Sequence, residues 1–89
     1  MKYRIKPNLA YRKIFDEIYI VDSKNSYLHK INEVGSFIFE KLKEGLNEDE
    51  IIDELVKTYD VEIEVAKSDY KNFIEEIFLK GLIEKDAKK

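Results

Sequence analysis

His29 is the one histidine of this chain, and no cysteine accompanies it. A catalytic triad with histidine as base would rest on this residue alone, and no serine stands in a nucleophile-elbow context. His29 reads instead as a solvent-facing or groove-facing strand residue. Without cysteine, disulfides and thiolate metal sites are both excluded. The runs Glu48-Asp49-Glu50 and Glu75-Glu76 offer paired carboxylates. Each falls on the polar face of an expected helix, where solvation accounts for it. A carboxylate metal site needs converging oxygens, which helix spacing alone does not supply. The three glycines are isolated, so no loop can cradle a phosphate. Catalysis, metal and cofactor are not expected; what remains is recognition.

The chain of 89 residues is read as one domain spanning 1–89, because a single core of this size is viable but small. Apolar residues make up 44% and are spread along the chain, which marks a folded domain and not a disordered tail. The start, Met1 to Asn8, lacks the apolar stretch of a signal peptide. No segment approaches the roughly 18 consecutive apolar residues of a membrane span. A cytoplasmic protein without membrane contact is expected. Net charge is -3 with both signs interleaved, so phosphate backbones should not attract the domain as a whole. The lysines of the 85–89 tail read as a frayed terminus.

The first third reads as a small sheet. Tyr11–Phe15 and Ile18–Val21 are two candidate strands, with Asp16-Glu17 as the turn between them. A polar loop, Asp22 to Ser26, leads to a third strand, Tyr27–Ile31. Short connections favour an antiparallel meander in chain order, which puts the third strand at an edge. Pro7 marks an extended lead-in.

Three helices follow. Asn32 is a favourable N-cap for the first, whose Val34, Phe37, Ile38 and Leu42 share one side. Gly35 lies inside that arc, and a buried helix glycine suggests close approach by another backbone. Gly45 suits the C′ position. Asn47 and Glu50 have capping-box spacing, and the second helix should bury Ile51, Ile52, Leu55, Val56 and Tyr59. The third helix starts near residues 62–64 and runs to Lys80, closed by Gly81, with a core stripe of Ala66, Tyr70, Phe73 and Ile77. Ile74 and Phe78 lie to one side of that stripe, near Lys67 and Lys71. They either widen the contact with the sheet or form an apolar groove wall rimmed by two lysines.

A winged-helix nucleic-acid-binding domain is one reading of three helices beside a small sheet. From Glu62 to Lys80, however, five acidic residues stand against three lysines, and a recognition helix should be basic. Little chain remains after the third helix to form a wing. A self-associating structural protein, pairing through an exposed strand edge, is another reading.

The ordered set Ile31-Asn32-Glu33, Gly35, Ile38, Leu42, Gly45, Ile51-Ile52, Leu55, Tyr59-Asp60-Val61, Ala66, Asp69, Phe73, Ile77 and Gly81-Leu82-Ile83 resembles the PqqD family. These small proteins of peptide-modification pathways are also called RiPP recognition elements. The resemblance covers Tyr27 to Ile83; Asp60 departs from it where a glycine often precedes the valine. It implies an α+β fold, a small three-stranded antiparallel sheet followed by three helices, winged helix-turn-helix-like. It also implies a non-catalytic chaperone that binds the leader of a ribosomally made precursor peptide. The leader adds as a strand to the third strand, against the third helix, and is presented to a partner enzyme such as a radical SAM protein or a leader peptidase. Carried over by position, the peptide-binding residues are Tyr27, Leu28, His29, Lys30 and Ile31, with Lys67, Tyr70, Lys71, Ile74 and Phe78 facing them. A monomer or weak dimer is expected.

Energetics agree with an edge assisted by pockets. Four net backbone hydrogen bonds contribute roughly 2–6 kcal/mol. Micromolar affinity needs about 8 kcal/mol, so side chains must supply the rest. A proline at His29 would block strand addition if that N–H faces outward.

Overall fold

The structure, a computed structural model, describes residues 3–7, 9–22 and 27–85. In chain order these form β1 (Tyr3–Ile5), β2 (Ala10–Ile14), β3 (Glu17–Asp22), β4 (Tyr27–Ile31), α1 (Glu33–Lys43), α2 (Glu48–Tyr59), α3 (Ile63–Leu79) and β5 (Ile83–Lys85). The three central strands make an antiparallel meander in the order β2-β3-β4, so β4 is an edge as its short connections implied. The turn between β2 and β3 sits one residue earlier than expected. Phe15, expected to end a strand, lies in the turn with a φ of 57°, and Glu17 begins β3. Pairing of Ile14 with Glu17 leaves only Phe15 and Asp16 for the connection.

A second, two-stranded sheet was not anticipated. β1 pairs antiparallel with β5, Tyr3 opposite Lys85 and Ile5 opposite Ile83. The lead-in before Pro7 is thus tied to the end of the chain, with Arg4 and Glu84 in an exposed ion pair at 2.7 Å.

The helix ends follow their local chemistry. Asn32 caps α1 through the Gly35 N–H, which donates to Asn32 Oδ1 at 2.8 Å. Asn47 and Glu50 form a reciprocal capping box on α2. Gly45 and Gly81 adopt φ of 93° and 76°, the left-handed geometry that ends α1 and α3. Asp60, where the family pattern often has glycine, ends α2 with φ of 52°.

Ile18, Ile20 and Ile31 of the sheet pack on Ile38, Phe39 and Leu42 of α1, with Ile51, Ile52 and Leu55 of α2 beyond them. Ala66, Tyr70, Phe73, Ile74 and Ile77 of α3 complete the core with Leu82 and Ile83. Val56 and Tyr59 of α2 are only partly buried. One polar side chain enters this core. The Ile18 N–H donates to Ser36 Oγ at 2.8 Å, and the Ser36 hydroxyl donates to the Ile31 carbonyl at 3.0 Å. Ile18 and Ile31 are register partners, so this hydroxyl bridges the splayed end of the β3–β4 ladder and locks α1 to it.

Gly35 is buried for a different reason from the one expected. A Cβ there would lie 2.7 Å from the Ile31 Cγ2 and 2.7 Å from a Phe73 ring carbon. Two side chains, not a backbone, occupy the space.

Candidate functional site: an open strand edge beside a helix-lined trough

Among the described residues, no strand lies on the outer side of β4, because the N-terminal strand has paired with β5 instead. Which of its polar groups face outward follows from the register. The Ser36 bridge shows that the N–H of Ile18 and the carbonyl of Ile31 point toward each other. Direction alternates along an antiparallel strand, so Tyr27, His29 and Ile31 turn their backbone groups toward β3. Leu28 and Lys30 turn theirs to the open edge. The N–H of His29 therefore faces inward, and the proline test of the edge belongs at Leu28 or Lys30.

Side chains alternate in the same way. Ile31 and half-buried His29 lie on the helix side of the sheet, opposite Ile18 and Ile20. Leu28 and Lys30 lie on the other face, and Leu28 is 66% exposed. For Tyr27 only the backbone pairing with Asp22 is described.

Between β4 and α3 runs a trough of about 280 Å³. Its strand side is Glu17, His29, Lys30, Ile31 and Asn32, and its helix side is Phe73, Glu76, Ile77, Lys80 and Leu82. It continues into a hollow of about 270 Å³ bounded by Val34, Gly35, Asp69 and Asn72, with Asn32, Phe73 and Glu76 shared. Along α3 this spans residues 69 to 80, about 16 Å at 1.5 Å per residue. That is the length of about five extended residues. The floor is apolar; the rim is charged but internally neutralised. Lys30 lies 3.4 Å from Glu17, and Lys80 lies 2.9 Å from Glu76.

The other expected helix residues sit elsewhere. Lys67, Tyr70, Lys71 and Ile74 line a separate hollow of about 530 Å³ on the α2 side of α3, with Tyr3, Glu48, Asp49, Ile52 and Glu75. Ile74, for which wider core contact and a groove wall were both open, is buried at 6% exposure. Phe78 is 43% exposed, but its ring meets Tyr3 of β1 edge-on at 6.2 Å and not β4. A helical wheel gives the angle between two flanks of α3 and not which flank meets the sheet. The face beside β4 proves to be Phe73, Glu76, Ile77 and Lys80, of which Phe73 and Ile77 had been assigned to core alone.

The site brings no metal-binding cluster together among the described residues. Nor is any described helix long and apolar enough to cross a membrane. Burial, and then the nearby Glu48, push the Tyr70 phenol above its ordinary range.

A winged-helix-like α+β domain with a bare strand edge set against a helix-lined trough is the class this architecture defines. Within it, the chain belongs to the family of coenzyme PQQ synthesis protein D (PqqD), whose model matches residues 17–83. This agrees with the motif order between Tyr27 and Ile83. Among solved structures, the chain is similar to TbiB1 in complex with the TbiA(beta) leader peptide, at 26% identity and a TM-score of 0.86. That similarity covers 96% of this chain and 99% of the other. Lasso peptide synthetase B1, complexed with its leader peptide, shares the fold at 16% identity and a TM-score of 0.85, covering 96% and 100% of the two chains. Among curated proteins, no sequence matches this one.

Proposed function

We propose that this domain is a non-catalytic chaperone that binds the leader of a ribosomally made precursor peptide as an added antiparallel strand on β4. The observation that carries this reading is the backbone of Leu28 and Lys30, unpaired among the described residues and lying alongside an apolar trough. Two residues offer two N–H and two C=O groups, hence four hydrogen bonds and roughly 2–6 kcal/mol. Two leader side chains buried against Ile31, Phe73, Ile77 and Leu82 add about 1.5–3 kcal/mol each. Ordering the leader costs about 2–5 kcal/mol, so the mid-values leave about 5 kcal/mol, a Kd on the order of 0.1 mM. Family membership and the leader-bound state of the TbiB1 complex support the same reading. The peptide-binding set is accordingly proposed as Leu28, His29, Lys30 and Ile31 with Phe73, Glu76, Ile77 and Lys80. Tyr27 extends the strand. The bound precursor is then presented in the cytoplasm to a modifying or processing enzyme, a radical SAM protein or a leader peptidase.

The test is a titration with the synthetic leader of a precursor encoded beside this chain's gene, followed by amide shifts. Movement at residues 27–31 and 73–80 is expected. A tight complex that leaves β4 unperturbed would remove the proposal. Sizing over a concentration series without peptide separates leader binding from self-association through the same edge.

A further inference from the structure

The register of β3 and β4 also sets what an added strand shows to each side of the sheet. On the face turned away from the helices, Ala10, Val21 and Leu28 form one cross-strand row, and Arg12, Tyr19 and Lys30 form the next. The first row is apolar and open to water, with Val21 47% exposed and Leu28 66%. It ends at the open edge, on a residue whose N–H and carbonyl point outward. The second row ends on Lys30, whose ammonium lies 3.4 Å from Glu17. A strand that joins β4 antiparallel exchanges both backbone bonds with Leu28 through the residue directly opposite, and does so again with Lys30. Those two incoming residues share the sheet face of Leu28 and Lys30. The residues opposite His29 and Ile31 turn instead into the trough.

We infer that Leu28 sets the frame in which the leader is read: the bound leader carries an apolar residue directly opposite Leu28, on the side of the sheet away from the trough. This frame rests on strand addition at β4, the reading proposed above, and names the class of leader that the edge selects. Opposite Leu28 an apolar side chain extends the Ala10–Val21–Leu28 row and covers a leucine that otherwise stands in water. Opposite Lys30 the same side chain would meet the Lys30–Glu17 pair, a place that suits a polar residue. The backbone cannot make this choice, because its bonds are the same after a slip of two residues. A slip of one is refused by the trough, since it turns the two apolar occupants outward. From its N-terminal end the selected leader therefore runs apolar opposite Ile31, polar opposite Lys30, apolar opposite His29 and apolar opposite Leu28.

The test is a lysine scan of the synthetic leader titrated above, each residue replaced in turn, against the full ¹⁵N-labelled wild-type chain and Leu28→Glu. The Leu28 side chain is mostly in water, so this variant keeps its fold, which its amide spectrum checks. At one leader position lysine should weaken binding to wild type about two- to five-fold and strengthen binding to Leu28→Glu by a similar factor. Lysine at the preceding position, opposite His29, should weaken binding to both. With Lys30→Glu the reversal should move two residues toward the leader's N-terminus. Three results would show the frame to be wrong while strand addition stands, provided the shifts at residues 27–31 persist. They are no reversal at any position, reversals in the opposite order, and a charged natural residue at the position that reverses with Leu28→Glu. Absence of the β4 shifts would overturn both.

Discussion

A proline scan of β4 distinguishes an outward-facing backbone from an inward-facing one residue by residue. At Lys30 the N–H points away from β3, so proline there removes no ladder bond and disturbs the fold little. The Lys30–Glu17 pair it also removes is exposed, with side chains at 58% and 38%, and is worth little. What Lys30→Pro does remove is one hydrogen bond to an added strand, about 0.5–1.5 kcal/mol, or about 2- to 12-fold in affinity. The pyrrolidine ring also occupies space that the incoming backbone needs, so the loss should exceed that lower bound. Leu28→Pro should behave alike. His29→Pro should do the reverse. It takes away a bond to β3 and leaves a buried group of Ile20 unpaired, costing about 1–3 kcal/mol. At about 4–8 °C per kcal/mol for a domain of this size, its melting temperature should drop visibly. Circular dichroism melts and leader titration by fluorescence anisotropy measure both arms, with Lys30→Ala as the control for the lost charge. If Lys30→Pro and Leu28→Pro fold and bind the leader as well as wild type, strand addition at β4 is wrong. If the two unfold while His29→Pro does not, the register reading is inverted.

Further outcomes follow from the same geometry. Ser36→Ala strands the Ile18 N–H and the Ile31 carbonyl in the core, which should cost about 2–4 kcal/mol in urea unfolding. Gly35→Ala gains up to about 1 kcal/mol of helix propensity but forces Ile31 and Phe73 apart, at about 1–3 kcal/mol. Net destabilisation is expected, with weaker leader binding because both residues also shape the trough. Leader affinity should depend only weakly on salt between 50 and 500 mM (about a factor of three or less), since the trough's lysines are already paired. Tyr70→Phe should raise stability at neutral pH by about 1–3 kcal/mol, measured by the same unfolding curves. Burial raises the Tyr70 phenol, so above about pH 10 the unfolded chain releases a proton that the folded chain keeps. Stability from this group is complete below that pH and is lost as pH climbs, by up to about 1.4 kcal/mol per unit. The phenylalanine variant should show the shallower alkaline decline.

Where a feature is encoded within one turn of chain, the sequence declares it. The asparagine at 32, the Asn47–Glu50 spacing and the glycines at 45 and 81 each satisfy orphan backbone groups nearby, and each lies where its local chemistry demands. The strand Tyr27–Ile31 is likewise legible from its turn-rich leader loop and the cap that follows. The β1–β5 sheet is not. Its strands are three residues long, too short for a period, and Arg4 meets Glu84 across a separation of 80 residues. Ser36 is silent for a similar reason, because a serine within a helix carries no mark of the two backbone groups it will meet. The site was half legible. Its edge came from connection lengths, but the side of α3 that faces it depends on where α2 packs, and periodicity holds no information about handedness between elements. Tyr70 shows the consequence, lying on the stripe but on the flank away from the trough, with its hydroxyl sealed inside.

The trough's floor imposes a division of labour on recognition. Ile31, Phe73, Ile77 and Leu82 are all 9% exposed or less, so each serves the core as well as the site. Enlarging or shrinking any of them to suit a new peptide would carry a core penalty of about 1–5 kcal/mol, comparable with the stability of a small domain. In the proposed binding mode Leu28 and Lys30 contribute through their backbone at the edge, which reads any sequence alike. In that mode, discrimination between leaders within the trough therefore resides at the rim, in Glu17, Lys30, Glu76, Lys80 and the Asp69–Asn72 end of the hollow, where a substitution costs little. Exchanging rim residues should thus switch leader preference without loss of fold, whereas exchanging floor residues should lower the melting temperature before it alters preference.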